Sequence, residues 1–275
     1  MGWFETVAAK AETRGGWSVI PFRTLRRAAA EEGLSAAEAE IRCLEMGYVP
    51  SRYIRTVGTI GLAGQIRLLR SSVAVVGCGG LGGLVAELLA RAGVGRLVLV
   101  DSDVFDDSNL NRQVLSTEDT IGISKAKAAA RRVVEINGAV EAEERQCRFD
   151  PFTAESVLYE VDAAEDCLDN LPSRRTLLAE CAERGIPVIS GAVAGFWGQV
   201  TVFSPDDPDG AHFYAGTTDS GVEEEAGTPP FTPAAVAALQ CAETIKLLTD
   251  TGRLLRGEML WLDLGEGEFS RLRRS

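Results

Sequence analysis

The sequence predicts an α/β protein with a Rossmann-like, doubly wound and mostly parallel sheet. Three observations indicate this class. An apolar run at residues 73–76 leads through a glycine-rich turn into a helix at 81–92 that is rich in leucine and alanine. A second apolar run at 96–100 ends at an acid, Asp101. Later strands indicate an antiparallel C-terminal part, and they are predicted at 187–190, around 198–203, at 259–262 and at 268–272.

Residues 1–50 are expected to form an N-terminal helical extension. Helices are predicted at 22–32 and 36–46, and together they would make a helical hairpin. Ser35 and Glu38 have the spacing of a capping box, which supports the second start. The hairpin either covers the main domain, residues 51–275, or a dimer interface, or it recognises a partner, and the sequence leaves these alternatives open.

The turn at 77–82 has the glycine spacing of a nucleotide-binding loop. Glycines at its first, third and sixth positions permit a tight turn, a close approach of phosphate to the backbone, and packing of the helix on the strand. The following helix offers free N–H groups to an anion. Asp101 comes nineteen residues after Gly82, where a carboxylate can accept hydrogen bonds from ribose hydroxyls. These features predict a bound nucleotide, and alone they also fit an NAD-dependent oxidoreductase.

The polar stretch that follows favours phosphate chemistry. Asn109, Asn111, Arg112 and Gln113 lie just beyond a strand end, at the edge where open α/β sheets bind ligands. Arg112 can grip a phosphate through two parallel N–H bonds, and the amides can orient the rest. A hydride-transfer enzyme does not need this cluster.

Two further side chains are candidates for the same site. Ser124 is predicted to cap a helix, which places Lys125 in the first turn, where the helix dipole disfavours a cation. This placement indicates a nearby anion, with a solvated surface lysine as the alternative. Asp169 follows a short, partly apolar run and can hold Mg²⁺, which usually takes one or two protein carboxylates. A turn or helix-capping acid is the alternative for Asp169.

Taken together, these segments resemble the ThiF/MoeB/HesA adenylyltransferases, which are related to the ubiquitin-activating enzymes. The resemblance covers roughly residues 52–272. Its motifs occur in one order, and the series is more specific than any member. They are Arg52-Tyr53-Ile54-Arg55, the turn at 77–82, Ala92-Gly93-Val94-Gly95, Asp101-Ser102-Asp103, Asn109-Leu110-Asn111-Arg112-Gln113, Gly122-Ile123-Ser124-Lys125, Leu168-Asp169-Asn170, Gly198-Gln199-Val200 and Gln240-Cys241-Ala242-Glu243-Thr244-Ile245-Lys246.

The resemblance implies ATP-dependent activation of a ThiS- or MoaD-like sulfur carrier, a ubiquitin-fold protein ending in Gly-Gly. The carrier's C-terminal carboxylate would attack the α-phosphorus of ATP, giving an acyl-adenylate and pyrophosphate, for thiamine, molybdenum or tungsten pterin cofactor, or related sulfur transfer. Residues 51–185 would be the nucleotide-binding half. Residues 186–275 would be the carrier-binding half, with a mobile loop at 205–233.

The resemblance also implies residue roles. Asp169 would organise Mg²⁺, and Arg55 would reach the phosphates of the neighbouring subunit, which implies a homodimer. The implied catalytic residues are Arg112, Lys125, Asp169 and Arg55. The implied nucleotide contacts are Gly77, Gly79, Gly80, Leu81, Gly82, Asp101, Asp103, Asn109, Arg112, Gln113, Lys125, Leu168, Asp169 and Asn170.

Two departures from the family narrow the expected chemistry. Many members hold a structural zinc with two Cys-x-x-Cys pairs, and the six cysteines here form no such pair, so we expect no zinc. The first pair would fall near residues 211–214, which offer His212 and no thiolate. The loop at 217–230 also lacks the cysteine with which related enzymes form a thioester. We therefore expect the chemistry to stop at the adenylate, with a separate protein as sulfur donor.

Composition and charge limit the partners. The chain has 275 residues, 45% of them apolar, and can bury a substantial core. Its net charge of −12 argues against nucleic acid or an anionic membrane as the main partner. No apolar stretch approaches the roughly 20 residues that span a bilayer, and a signal-peptide core is missing. Because six unpatterned cysteines suit a reducing compartment, we expect a cytoplasmic protein.

Three other functions stay open at this point. A dinucleotide oxidoreductase shares the glycine turn but does not explain the cluster at 109–113. A cyclising dehydratase of threonylcarbamoyladenosine in tRNA would use the same nucleotide residues on a small carboxylate, although the acidic charge disfavours it. An inactive scaffold is the third, and the full set of catalytic side chains argues against it.

Overall fold

A computed structural model describes residues 3–207, 213 and 226–274. Within these residues the strands are β1 (Glu12–Arg14), β2 (Trp17–Ile20), β3 (Val49–Pro50), β4 (Ser72–Val76), β5 (Arg96–Val100), β6 (Glu141–Arg145), β7 (Ala163–Asp166), β8 (Val188–Ala194), β9 (Trp197–Phe203), β10 (Glu258–Asp263) and β11 (Glu268–Arg273). The α-helices of the same residues are α1 (Trp3–Ala8), α2 (Phe22–Glu31), α3 (Ala36–Glu45), α4 (Val57–Arg70), α5 (Gly82–Ala92), α6 (Lys125–Ile136), α7 (Pro151–Val157), α8 (Leu171–Glu183) and α9 (Phe231–Thr249).

The described strands form an eight-stranded main sheet in the order β11-β10-β9-β8-β7-β4-β5-β6. The strands from β6 to β8 in this order are parallel, and β9, β10 and β11 continue the sheet with antiparallel pairing. This arrangement confirms the predicted Rossmann-like class and its antiparallel C-terminal part. The sheet continues from β4 through β5 and β6 on one side and through β7 and β8 on the other. A crevice therefore opens at the carboxyl ends of β4 and β7, the usual ligand site of such sheets.

Alternate side chains of the central strands pack into two separate hydrophobic cores, one on each face of the sheet. Val73 and Val75 of β4 belong to the core under α5, α6 and α9, whereas Ala74 and Val76 belong to the core under α7 and α8. Successive side chains of a strand point to opposite faces, so a strand covered on both faces must be apolar throughout. The continuous apolar run at 73–76 reflects this double burial.

The N-terminal part contains the two predicted helices and more. Ser35 and Glu38 form the predicted capping box at the start of α3. The structure adds α1 and a small sheet in which β2 pairs with β1 and β3, so the helical hairpin was an incomplete description. The short β1 is exposed at all its positions and has no apolar alternation that could predict it.

Buried polar contacts join this part to the main domain. The Tyr53 hydroxyl donates to Glu40 at 2.8 Å and accepts from the Asn137 amide at 3.0 Å. Arg52 forms an ion pair with Glu40 at 3.0 Å. Burial raises the pKa of Glu40, while Arg52 and Tyr53 hold it down. Residues 3–50 therefore pack on the domain that follows.

Two further elements were not predicted. The helix α4 contains Gly61 at a φ of 70°, which interrupts its regular pattern. The edge strand β6 is Glu-Ala-Glu-Glu-Arg, without an apolar run, and it forms because β5 offers it an edge.

His212 and most of the predicted mobile loop at 205–233 lie outside the described residues. Among the helices that the structure describes, none is both long and apolar enough to cross a membrane.

Candidate nucleotide and substrate site

A cavity of about 1220 Å³ opens at the carboxyl ends of the parallel strands. One wall is formed by the glycine turn after β4, the segment after β5 and the loop after β7. The other wall comes from β8, β9 and β10, including Ala192, Gly198 and Trp261. The cavity is large enough for a nucleotide and part of a second substrate.

The glycine turn is constrained by close backbone packing. The Gly77 N–H donates to the Val100 carbonyl at 2.8 Å, and Gly77 has a φ of 94°. A Cβ on Gly77 would lie 2.5 Å from the Cys167 carbonyl oxygen. A Cβ on Gly82 would lie 1.7 Å from the Gly77 carbonyl oxygen, so this glycine permits the packing of α5 on β4. Gly77, Gly79, Gly80 and Leu81 line the cavity, and Gly82 is behind it.

Asp101 stands at the end of β5 and lines the same cavity. Its carboxylate accepts hydrogen bonds from the backbone N–H groups of Cys78, at 2.7 Å, and Asp103, at 2.8 Å. Burial raises the pKa of Asp101, and the two N–H groups and Lys125 oppose this shift. The acid is therefore held in place by the turn that it faces.

Lys125 begins α6, and Ser124 caps that helix by accepting from the Lys127 N–H at 3.3 Å. This confirms the predicted start. The Lys125 side chain is buried and its Nζ lies 3.3 Å from the Asp103 carboxylate. Because the Asp103 side chain is 63% exposed, the pair is open to the cavity, which both residues line. A cation held at this position is available to a bound anion.

The cluster at 109–113 divides between ligand space and support. Arg112 lines the cavity and donates to the Ser108 carbonyl and the Asn111 side chain, both at 2.9 Å. Gln113 is buried beside Gly79, and its Oε1 has no hydrogen-bond partner among the described residues. The predicted contact Asn109 is not among the cavity-lining residues, because its side chain closes a capping box with Asp106.

The loop after β7 brings Leu168, Asp169 and Asn170 to the cavity. Asn170, not Asp169, caps α8, since its side chain accepts from the Ser173 N–H at 3.0 Å. The Asp169 carboxylate accepts a bond of 3.3 Å from the Asn170 amide. Asp169 is therefore not the cap of α8, and it is one of the residues that line the cavity. Arg55 is exposed and is not among the residues that line the cavity of its own chain.

Several cavity residues were not predicted. Arg174 lies in the first turn of α8, buried against Asp166 at 2.9 Å. Arg148 follows β6, and Trp197 lies at the start of β9. Nothing in the sequence around Arg148 and Arg174 indicates a cavity, because the order of the strands in the sheet is what brings them to it. The segment Phe196-Trp197-Gly198 does offer a local signal for this wall, because it places a large side chain next to a glycine.

The cysteines near the site have little thiolate character. Burial raises the pKa of Cys78, Cys167 and Cys241 well above the usual value, and it also raises that of Cys147. Cys147 is the partly exposed one of these and lines the cavity. A reactive thiolate is favoured by exposure, which the buried Cys78, Cys167 and Cys241 lack. Lys125 lowers the pKa of Cys78, but burial outweighs this effect.

Comparison with known proteins agrees with this geometry. A model described as the ThiF family matches residues 51–275. The chain belongs to the ThiF family. The match confirms the predicted family. Membership of this family disfavours the alternative that the glycine turn belongs to a dinucleotide oxidoreductase. The SAMP-activating enzyme E1 of Haloferax volcanii is 38% identical over 217 residues, which are 77% of this chain and 80% of that protein.

Other ThiF-family relatives are similar over the same part. The sulfur carrier protein adenylyltransferase of Thermus thermophilus is 36% identical over 222 residues, with coverage of 78% of this chain and 82% of the relative. The adenylyltransferase and sulfurtransferase MOCS3 of Mus musculus is 36% identical over 78% of this chain. This chain spans only 47% of the length of that protein.

Solved structures share the fold. A crystal structure of E. coli MccB with ATP superposes with a TM-score of 0.70 at 21% identity, covering 82% of this chain and 72% of that one. The structure of PaaA gives a TM-score of 0.69 at 23% identity, covering 82% and 73%. At these identities the likeness supports the ThiF-type fold alone.

Proposed function

We propose that this protein uses ATP to adenylate the C-terminal glycine of a ubiquitin-fold sulfur-carrier protein. One observation carries the proposal: a single cavity wall combines the glycine turn and Asp101 with Arg112, Lys125 and Asp169. A dehydrogenase needs only the first two. The remaining three supply two cations and a carboxylate beside the place of the phosphates. Relatives named as activating enzymes or adenylyltransferases support the same activity.

ATP fits this wall with its triphosphate over the N-terminus of α5 and its ribose at Asp101. The buried side-chain oxygen of Gln113 has no hydrogen-bond partner among the described residues, so it can accept a bond from an N–H or O–H group of a ligand. In the reaction, a carboxylate oxygen of the carrier forms a bond to the α-phosphorus while the bond to pyrophosphate breaks. Arg112 and Lys125 would hold the phosphates and balance the charge that leaves with pyrophosphate.

We propose that Asp169 holds Mg²⁺ together with ATP. The donor set fits, because one carboxylate in ligand space, completed by phosphate oxygens and water, is a usual arrangement for this ion. Bound Mg²⁺ would neutralise phosphate charge. The expectation that the protein works without structural zinc stays a proposal, and it rests on the absence of Cys-x-x-Cys pairs from the sequence.

The second wall suits the tail of a carrier. Part of this wall is lined by the small residues Ala192, Ala194 and Gly198, which would leave room for an extended Gly-Gly tail. The large side chains of Trp197 and Trp261 line the cavity beside them. At the sheet edge, β11 is exposed at all six positions, among them Phe269 at 59%. We infer that residues 186–275, with the loop at 205–233, form the carrier-binding half and that residues 51–185 form the nucleotide-binding half.

The assembly and setting are part of the same proposal. Arg55 is exposed and is not among the cavity-lining residues, so we propose that it completes the site of a second copy in a homodimer. A separate sulfur donor would attack the adenylate, since thioester chemistry has no cysteine in the loop at 217–230. We propose that the protein acts in the cytoplasm on a protein partner, without nucleic acid or membrane.

The decisive experiment is carrier-dependent exchange of labelled pyrophosphate into ATP. Candidate carriers that end in Gly-Gly are tested one at a time, each beside a version that lacks the two glycines. Exchange is expected with at least one intact carrier and with none of the truncated ones. The absence of exchange with every candidate, in protein that binds ATP, would contradict the proposed function.

A further inference from the structure

Arg174 is a charged side chain buried directly behind the loop that carries Asp169. It is 5% exposed and stands in the first turn of α8. Burial and the positive end of a helix both disfavour a cation, and an apolar side chain of similar volume often packs there at no loss. The reason for a guanidinium at this place therefore lies in its contacts.

The guanidinium links the carboxyl end of β7 to the middle of the neighbouring strand β8. Its Nη1 donates to the Asp166 carboxylate of β7 at 2.9 Å and to the Ser190 hydroxyl of β8 at 3.3 Å. Its Nη2 donates to the Gly191 carbonyl of β8 at 2.8 Å and also to the Leu168 carbonyl. A planar fork with several N–H donors can satisfy these acceptors together.

Two of these acceptors connect Arg174 to the two walls of the cavity. Leu168 immediately precedes Asp169, and Gly191 immediately precedes Ala192, which lines the opposite wall. The same loop also abuts the glycine turn, since a Cβ on Gly77 would be 2.5 Å from the Cys167 oxygen and 3.4 Å from the Leu168 nitrogen. A displacement of the Leu168 carbonyl would therefore disturb the loop that carries Asp169, the glycine turn and the wall that begins at Ala192.

We propose that Arg174 is a positioning residue that fixes the loop carrying Asp169 relative to the glycine turn and to the wall that begins at Ala192. The proposal rests on the proposed function for the role of Asp169. The Asp169 carboxylate has a single hydrogen bond of 3.3 Å within the described residues, so its direction depends mainly on its backbone. That backbone is what the guanidinium holds.

The test uses Arg174→Lys in the full chain. Lysine keeps the charge that Asp166 requires, but a single ammonium cannot bridge both carbonyls in the same geometry. Binding of Mn²⁺ to the complex with ATP, followed by electron paramagnetic resonance, is expected to weaken about tenfold, the scale for losing an outer-shell partner. In exchange assays, kcat should fall about tenfold while KM for ATP at saturating Mg²⁺ stays within about twofold.

Two further variants separate positioning from loss of fold. Asp166→Asn combined with Arg174→Met removes both charges without leaving one unpaired, and the same loss of Mn²⁺ affinity is expected. Arg184→Lys, at the far end of α8 and paired with Glu180, is the matched control and should behave as wild type. Unchanged Mn²⁺ affinity in folded Arg174→Lys would overturn the proposal. If no carrier supports exchange, the proposed function fails, while Mn²⁺ binding still decides the role of Arg174.

Discussion

The Asp101 carboxylate accepts a hydrogen bond of 2.7 Å from the Cys78 N–H, so the acid after β5 also shapes the glycine turn after β4. Its other oxygen accepts from the Asp103 N–H at 2.8 Å. The acid expected to bind ribose is therefore also a structural link between the two segments that flank the nucleotide. Chemistry and local stability depend on the same side chain.

Asp101→Asn is expected to weaken ATP binding at least about tenfold and to destabilise the protein by about 1–3 kcal/mol. An amide has one acceptor oxygen, so its NH₂ group would face one of the two N–H donors. Titration calorimetry measures the affinity, and urea unfolding measures the stability. Asp162→Ala is the control, because Asp162 accepts from the Ser72 N–H at 2.8 Å at the opposite end of β4. That variant should lose stability and keep ATP affinity; equal ATP affinity in wild type and Asp101→Asn would contradict the assignment.

Patterns within a few residues predicted much of this fold. The apolar runs of β4 and β5 and the Ser124 cap of α6 are local signals, and each corresponds to an observed element. The strand β6 carries three glutamates and no apolar run, so nothing local distinguishes it from a loop. It becomes a strand through its pairing with β5, which a single sequence does not display.

The candidate site divides in the same way. The cavity-lining Arg112, Lys125 and Asp169 stand in motifs that could be read along the chain. Buried contacts behind the site could not be read in this way, because Gln240 donates to Glu165 of β7 at 3.1 Å across 75 residues of sequence. Polar residues in a helix or strand are ordinarily read as exposed, and their burial depends on partners that only the tertiary fold supplies.

Two glycines of the turn should respond differently to alanine. In Gly79→Ala the new Cβ would meet Gln113 Nε2 at 3.5 Å, an ordinary contact, although the residue lines the cavity. We expect near-normal stability and weakened ATP binding. In Gly82→Ala the Cβ would lie 1.7 Å from the Gly77 carbonyl oxygen, so we expect a loss of about 3 kcal/mol or more. Urea unfolding and ATP titration of both variants check this, and equal stability of the two would refute it.

Lys125→Met should separate catalysis from folding. Its partner Asp103 is 63% exposed, so water can solvate the carboxylate once the lysine is gone and the stability should change little. Pyrophosphate exchange is expected to fall at least about 100-fold, because a preorganised cation beside the phosphates is lost. Lys127→Met is the matched control, since Lys127 lies on the same helix and is exposed. Comparable exchange rates in the two variants would exclude Lys125 from the site chemistry.

Because of Glu165, the free energy of unfolding should decrease as the pH rises. It is fully buried in β7, and burial raises its pKa from the usual 4.5 to about 8, with Asp166 adding to the shift and hydrogen bonds from Thr244 and Gln240 opposing it. The folded protein thus retains a proton that the unfolded chain releases. The stabilisation is fully present below pH 4.5, declines above it, and is lost as the pH rises through about 8.

Glu165→Gln is expected to flatten this dependence, because an amide does not titrate and keeps nearly the same shape beside Thr244 and Gln240. Urea unfolding of wild type and variant at several values between about pH 5 and 8 measures the slope of the free energy of unfolding. Glu155→Gln, at an exposed position of α7, serves as the control and should leave the wild-type slope in place. Parallel curves for wild type and Glu165→Gln would show that Glu165 is ionised in the folded protein over this range.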